Sequence, residues 1–183
     1  VKYKRRASKG KKINPHFWVF CEGETEEAYV CYLRSKYRIP IEIIPKVVGN
    51  KISQRIIDNC KQGKPKDDKD KDFLIYDADV PHVLEKLKSI KSAVLIASNP
   101  SIELWFLLHY KNQTANLTTD YCIRQLCSRN RNTYKKGVID TKLETKLSEH
   151  QTKACERAKK MVLFNNPSTN MHLFIDELEN VKK

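Results

Sequence analysis

The chain has 183 residues, of which 40% are hydrophobic, enough for one domain with a core of its own. Lys and Arg number 35 against 22 Asp and Glu, a formal charge of +13 at pH 7. This composition excludes disorder along the whole chain and points to a polyanionic partner, although solubility alone also accounts for a basic surface.

Residues 1–12 carry Lys2, Lys4, Arg5, Arg6, Lys9, Lys11 and Lys12 and no acid. Such a segment reads as a flexible, solvated arm. Arg5, Arg6, Lys11 and Lys12 are candidates for contact with a phosphate backbone. No basic leader with an apolar stretch opens the chain. The longest apolar run, Leu104 to Leu108, is too short for a bilayer, so no membrane partner is expected. Six cysteines, at 21, 31, 60, 122, 127 and 155, form no C-x-x-C pair. They argue against zinc and read as reduced thiols in a cytoplasm.

Phe17-Trp18-Val19-Phe20-Cys21 is short, apolar and β-prone, and predicts a buried strand ending at Glu22. Gly23 is expected to let the chain turn sharply and to admit a substrate closely. A helix follows from Thr25 to about Arg38, with Glu24, Glu26 and Glu27 at the positive end of its dipole. Ile41 to Val48 predicts a second strand, at an edge because of Pro45. A helix over 52–60 and a charged loop over 61–72 lead to a third strand, Phe73 to Tyr76, ending at Asp77-Ala78-Asp79. Pro81 starts a helix to about Ile90, and Ala93 to Ala97 predicts a fourth strand. Ser98-Asn99-Pro100 reads as a cap with proline at the first helical position. The helix over 101–110 is apolar nearly all round and should be buried, with His109 either a core residue or a functional one. Helices are predicted over 118–130, 139–162 (with a break) and 169–182. Strands alternating with helices imply an α/β fold with a mainly parallel sheet flanked by helices, over residues 13–113. Residues 114–183 then form a helical C-terminal extension packed on that core.

In a parallel sheet the carboxyl ends of the strands share one edge, where ligands bind. Glu22 ends the first strand and Asp77 and Asp79 end the third, so three carboxylates are expected to converge. Their repulsion is relieved by a hard divalent cation, for which magnesium is suited. Taken singly, each is better read as an ordinary acid at a strand end, and it is their pairing across two strands that favours a metal. Glu103, among apolar neighbours, is either an acid facing the metal or one satisfied by helix amides. Asn99 is a cap or a phosphate contact. Tyr134, Lys135 and Lys136 before Gly137 make a basic, aromatic patch or a solvated turn.

The glutamate after the first strand and the later Asp-x-Asp resemble the Toprim pattern of topoisomerases, primases and related nucleases. The chain more closely resembles the RloB-like family of bacterial phage-defence proteins. The resemblance rests on Cys21-Glu22-Gly23-Glu24-Thr25-Glu26, on Tyr76-Asp77-Ala78-Asp79 and on Ser98 through His109, with Tyr134-Lys135-Lys136-Gly137 a weaker match. It implies a Toprim-like, Rossmann-like core, with Glu22 as general acid/base or metal ligand. Asp77, Asp79, Glu26 and Glu103 would then surround Mg2+ or Mn2+, Lys135 would be catalytic, and Asn99, Tyr134 and Lys136 would bind nucleic acid. It further implies an ATPase partner in abortive infection. No GxxxxGK[ST] occurs here, so nucleotide hydrolysis would fall to that partner. A metal-dependent nuclease acting on DNA or RNA, tRNA included, is the leading expectation. A non-catalytic module that binds nucleic acid or docks on an ATPase is the competing one. A homodimer is compatible with either. A dinucleotide enzyme is disfavoured, since no GxGxxG follows the first strand.

Overall fold

A computed structural model describes residues 15–38, 42–131 and 133–182. The basic arm, with Arg5, Arg6, Lys11 and Lys12, lies outside the described residues. In chain order the elements are β1 (His16–Cys21), α1 (Glu24–Tyr37), β2 (Glu42–Val47), α2 (Gln54–Lys61), β3 (Lys71–Asp77), α3 (Pro81–Ser89), β4 (Val94–Asn99) and α4 (Ile102–Leu108). The C-terminal region adds α5 (Thr119–Arg129), α6 (Thr141–Glu149), α7 (Gln151–Ala158), β5 (Ser168–Thr169) and α8 (Met171–Lys182).

The sheet runs β2-β1-β3-β4-β5, parallel throughout except for β5. β2, with Pro45, is an edge strand, as a residue without an N–H requires. Alternation sends the side chains of β1 and β3 to two cores. Phe17, Val19, Cys21, Phe73 and Ile75 pack with α1, α4 and the C-terminal helices. Trp18, Phe20, Leu74 and Tyr76 pack with Ile57 of α2 and with Val83 and Leu87 of α3. Helices therefore cover both faces, the arrangement that buried parallel strands demand.

α4 lies wholly inside: all seven of its residues are buried. Phe106 meets the Tyr29 ring of α1 edge-on, with centroids 5.3 Å apart, and α5 and α7 close over the helix. His109, just beyond it, is 2% exposed and its Nδ1 lies 2.9 Å from the Trp105 carbonyl. Burial lowers its pKa to about 3, so the ring is a neutral core group.

The start of α4 differs from the sequence expectation. Asn99 does not cap a helix beginning at Ser101. Ser98 and Asn99 are still in the sheet, paired with Thr169 and Ser168, and the helix begins at Ile102 with Ser101 as its N-cap residue. The unforeseen partner is β5, two residues long and too short to show a period of its own. It is followed by Asn170, whose side chain acts as a further piece of strand. Ala97 N–H donates to Asn170 Oδ1 at 2.7 Å, and Asn170 Nδ2 donates to the Leu95 carbonyl at 2.9 Å. The Asn170 N–H donates to the Ala97 carbonyl at 3.2 Å. The C-terminal region thus supplies the hydrogen bonds along the outer side of β4.

Asn170→Ala leaves the Ala97 N–H and the Leu95 carbonyl without their side-chain partners in a buried setting. A loss of about 2 kcal/mol or more in denaturant unfolding is expected. A loss within about 0.5 kcal/mol would mean that this amide does not hold β4.

Candidate functional site

Glu22 and Asp77 stand at the same ends of adjacent strands, because Cys21 is in register with Ile75. The Asp77 N–H donates to Glu22 Oε2 at 2.9 Å. The Asp77 carboxylate in turn accepts from the Ile102 N–H at 3.0 Å, through Oδ1. That amide is the first of α4, so Asp77 occupies the capping role and also sits at the positive end of the helix. Two strand ends and one helix start are thus tied through two carboxylates.

Gly23 is the N-cap residue of α1, at φ −145° and ψ −170°. This is extended backbone, so the sharp glycine turn expected from the sequence is not what the position requires. Its close neighbour is the chain's own Glu26: Gly23 N–H donates to Glu26 Oε2 at 2.9 Å, and a β-carbon on residue 23 would lie 3.3 Å from that oxygen. Glu26, third in the helix, makes the reaching-back half of a capping box.

Glu103 is fully buried. Its Oε2 accepts from the Ser101 hydroxyl at 2.7 Å and its Oε1 from the Tyr134 hydroxyl at 3.0 Å. Lys136 Nζ lies 3.8 Å from Oε1. A buried carboxylate with two hydroxyl donors and a nearby cation meets the condition for keeping such a group inside a fold. Tyr134 is itself buried, packed edge-on to Phe106 at 6.4 Å between centroids, so its ring offers no stacking surface to a nucleic acid. Its part in the site is to hold Glu103.

An open cleft of about 370 Å³ is lined by Glu22, Gly23, Glu24, Thr25, Glu26, Asp77, Lys136 and Gly137. The segment with Lys136 is fastened there by the Gly137 N–H, which donates to Thr25 Oγ1 at 3.0 Å. Gly137 has φ +73°, the left-handed backbone that favours glycine, and a β-carbon on it would stand in contact with that of Glu24 at 3.4 Å. Lys135 is exposed and is not among the lining residues; the adjacent Lys136 is the lysine brought to the acids. Asn99 is half-buried, with Nδ2 donating to the Phe164 carbonyl at 3.0 Å. Asp79 is exposed beside the cleft.

Five carboxylates act on one another here. Burial, with Glu26, Glu22, Glu103 and Asp79 around it, pushes Asp77 up to about 9. Burial also raises Glu22, opposed by the Asp77 N–H and by Lys136 and reinforced by Asp79. Glu26 is raised by burial, with Glu103 and Glu22 adding to it against the Gly23 N–H. Among the described residues no three His, Cys, Asp or Glu side chains converge closely enough to hold a metal as they stand. The hydrogen bonds of four of them account for this, because Glu22, Asp77, Glu26 and Glu103 are each turned toward a separate backbone or hydroxyl donor. Glu22 Oε1 and Asp77 Oδ2 have no hydrogen-bond partner among the described residues. Free carboxylate oxygens from two strand ends, with Asp79 beside them, are donors of the hard kind that magnesium and manganese take.

Sequence reasoning found the carboxylates but chose between Lys135 and Lys136 without a signal, since both precede Gly137. Ser101 and Thr25 were missed as partners. The sequence clue for Ser101 was a buried glutamate two residues on, which must find a donor nearby.

In chelator, Asp77 gives a measurable pH dependence. The folded state holds this proton up to about pH 9, against an ordinary value of 3.8. The fold therefore binds more protons than the unfolded chain across that window, and stability falls as pH rises through it. Asp77→Asn keeps the acceptor for Ile102 and removes the titration. Its melting temperature should exceed that of the wild type at pH 8, with the gap closing toward pH 4. A gap that stays constant with pH would show that carboxylate crowding is not its source.

A family model described as RloB-like protein matches residues 17–178. No curated protein and no solved structure matches the chain. The matched span runs from β1 into α8 and includes the acids, Lys136 and Gly137, and on this match the chain belongs to the RloB-like protein family.

Proposed function

We propose that the chain is a metal-dependent nuclease with a Toprim-like site that hydrolyses phosphodiester bonds of DNA or RNA. The observation that carries this reading is the crowding of Glu22, Asp77 and Asp79, with Glu26 and Glu103 behind them, at the carboxyl edge of a parallel sheet. Such crowding costs stability unless a cation accompanies it. The +13 charge of the chain favours a polyanionic substrate over a small neutral one.

In this reading Asp77 and Asp79 would hold magnesium or manganese through their free oxygens, leaving Glu22 as the general base. The ion supplies charge neutralisation and polarisation of the phosphodiester. Glu22, half-buried and raised above an ordinary carboxylate, takes a proton from the attacking water. Lys136, poised between the cleft and Glu103, meets a non-bridging phosphate oxygen and the charge that builds on it. Glu103 and Tyr134 keep that lysine in place. Glu26 shapes the start of α1, one layer behind the reacting groups. The family resemblance adds an ATPase partner and a role in phage defence. No helix among the described residues is long and apolar enough to cross a membrane.

The second reading is a module that binds nucleic acid without cutting it. It is favoured by the hydrogen bonding of Glu22, Asp77, Glu26 and Glu103 to separate donors within the fold, with no formed set of three ligands among the described residues.

A gel assay separates the two: purified chain, magnesium or manganese, plasmid DNA and total tRNA, run with Asp77→Asn/Asp79→Asn and Glu22→Gln. The nuclease predicts metal-dependent cutting, reduced by about 10²-fold or more in Glu22→Gln and abolished in the double variant. Cutting by the double variant at the wild-type rate would sink the metal site. Binding without cutting by all three proteins, with the ATPase partner supplied, would favour the second reading.

A further inference from the structure

The acidic edge of the sheet is flanked, on each face, by a basic segment with a fixed backbone. On the face covered by α2 and α3 this is the 3-10 turn Gly49–Lys51, which follows β2. The Val48 N–H donates to the Cys21 carbonyl at 3.0 Å, so the turn begins beside Glu22. A β-carbon on Gly49 would lie 3.7 Å from the Glu22 carbonyl oxygen. The Tyr76 hydroxyl donates to the Gly49 carbonyl at 3.0 Å, and Lys86 Nζ of α3 donates to the Asn50 carbonyl at 2.8 Å. Lys46 and Lys51 are the cations of this wall; alternation along β2 turns Lys46 to the same face as Ile44. On the face covered by α1 and α4 the segment runs from Asn130 to Gly137. Asn130 Nδ2 donates to Asp140 Oδ2 at 3.1 Å, and the Thr133 hydroxyl donates to the Asn130 carbonyl at 2.6 Å. Buried Tyr134 and the Gly137 N–H fasten the other end. Arg131 is held at φ +54°, a left-handed conformation that persists only where its surroundings impose it. Arg131 and Lys135 are the outward cations of this second wall, next along the chain to Lys136 in the cleft.

Lys46, Lys51, Arg131 and Lys135 are all exposed, and none makes an ion pair among the described residues. Elsewhere Lys61, Lys71 and Lys159 are paired with Asp72, Glu177 and Asp176. Unpaired cations attract an anion without first giving up an internal partner. A small anion would engage one wall only. An occupant that engages both must carry charges in series and pass over the acids between them, which fits a chain of phosphates.

We propose that a nucleic-acid backbone crosses the carboxyl edge from one face of the sheet to the other, with Lys46 and Lys51 holding phosphates on one side of the acids and Arg131 and Lys135 on the other. This path deepens the nucleic-acid reading above and rests on it, in its cutting and its non-cutting form alike. Contacts to phosphates fix register and orientation and read no sequence. The four cations are therefore positioning residues: they bring a phosphodiester over Asp77 and Asp79 and do not touch the reacting atoms. Lys135, outside the cleft, takes this part, while Lys136 faces the acids.

The test is binding, in EDTA, so that it stands apart from catalysis. The whole chain is titrated by fluorescence anisotropy, over a range of salt, against labelled single strands and duplexes of DNA and of RNA. Lys46→Gln/Lys51→Gln and Arg131→Gln/Lys135→Gln are compared with Lys64→Gln/Lys66→Gln. The last pair removes two exposed charges from the loop before β3, at the opposite edge of the sheet. All six positions are exposed, and thermal melting close to that of the wild type verifies the fold of each variant. Each wall variant should weaken binding about tenfold at about 0.1 M salt and flatten the salt dependence by about one unit of slope per cation removed. Lys64→Gln/Lys66→Gln should do neither. Asp79→Asn, which removes a negative charge that the strand passes, should bind more tightly than the wild type. Three results would overturn the path while the nucleic-acid reading stood: an equal loss in Lys64→Gln/Lys66→Gln, a loss confined to one wall, or no gain in Asp79→Asn. No binding of any probe by the wild type at low salt would overturn both, and would leave the walls to an acidic protein surface. The expected pattern in a protein that never cuts would keep the path and assign it to the non-catalytic module.

Discussion

Two hydrogen bonds from backbone to carboxylate, from Asp77 N–H to Glu22 and from Ile102 N–H to Asp77, join β1, β3 and α4 at one point. Each satisfies an amide at an element end while spending a carboxylate lone pair in a place short of water. The surrounding structure follows from keeping these charges there. Gly23 N–H occupies Glu26, Ser101 and Tyr134 occupy Glu103, and Lys136 supplies a positive charge at the mouth. The acids lie close enough to disfavour one another's ionised forms, and among the described residues no three of them converge on one centre. An arrangement of this kind stores repulsion, which the cation of the proposed function would relieve.

The C-terminal region is part of this device, because Tyr134, Lys136 and Gly137 come from the connection between α5 and α6. A core ending after α4 would have left Glu103 without its tyrosine and lysine. β5 and Asn170 likewise complete β4, whose end carries Ser98 in register with Asp77. The helical extension thus finishes both the sheet and the acidic site.

The parallel sheet was legible because its strands are continuous apolar runs separated by helices of proper length, and because Pro45 marked an edge. Glu22, Asp77 and Asp79 were legible because they follow those runs directly. What the sequence hid depends on contacts distant along the chain. β5 has two residues and no period, and Asn170 imitates a strand with a side chain. Asn99 looked like a helix cap because its neighbours are a serine and a proline, yet the ladder with β5 holds it in the sheet. Tyr134 looked like a surface aromatic beside lysines, but a fully buried Glu103 needed a donor and drew it inward. Lys135 and Lys136 are told apart only by the turn at Gly137, whose N–H is fixed by Thr25 from the other end of the chain.

The central claim is that these carboxylates form a cation site, and manganese binding by electron paramagnetic resonance tests it without any substrate. The wild-type chain should titrate with saturable Mn2+ binding that magnesium displaces, and Asp79→Asn should weaken it strongly. Binding that never saturates, or that is the same after Asp79→Asn, would contradict the account.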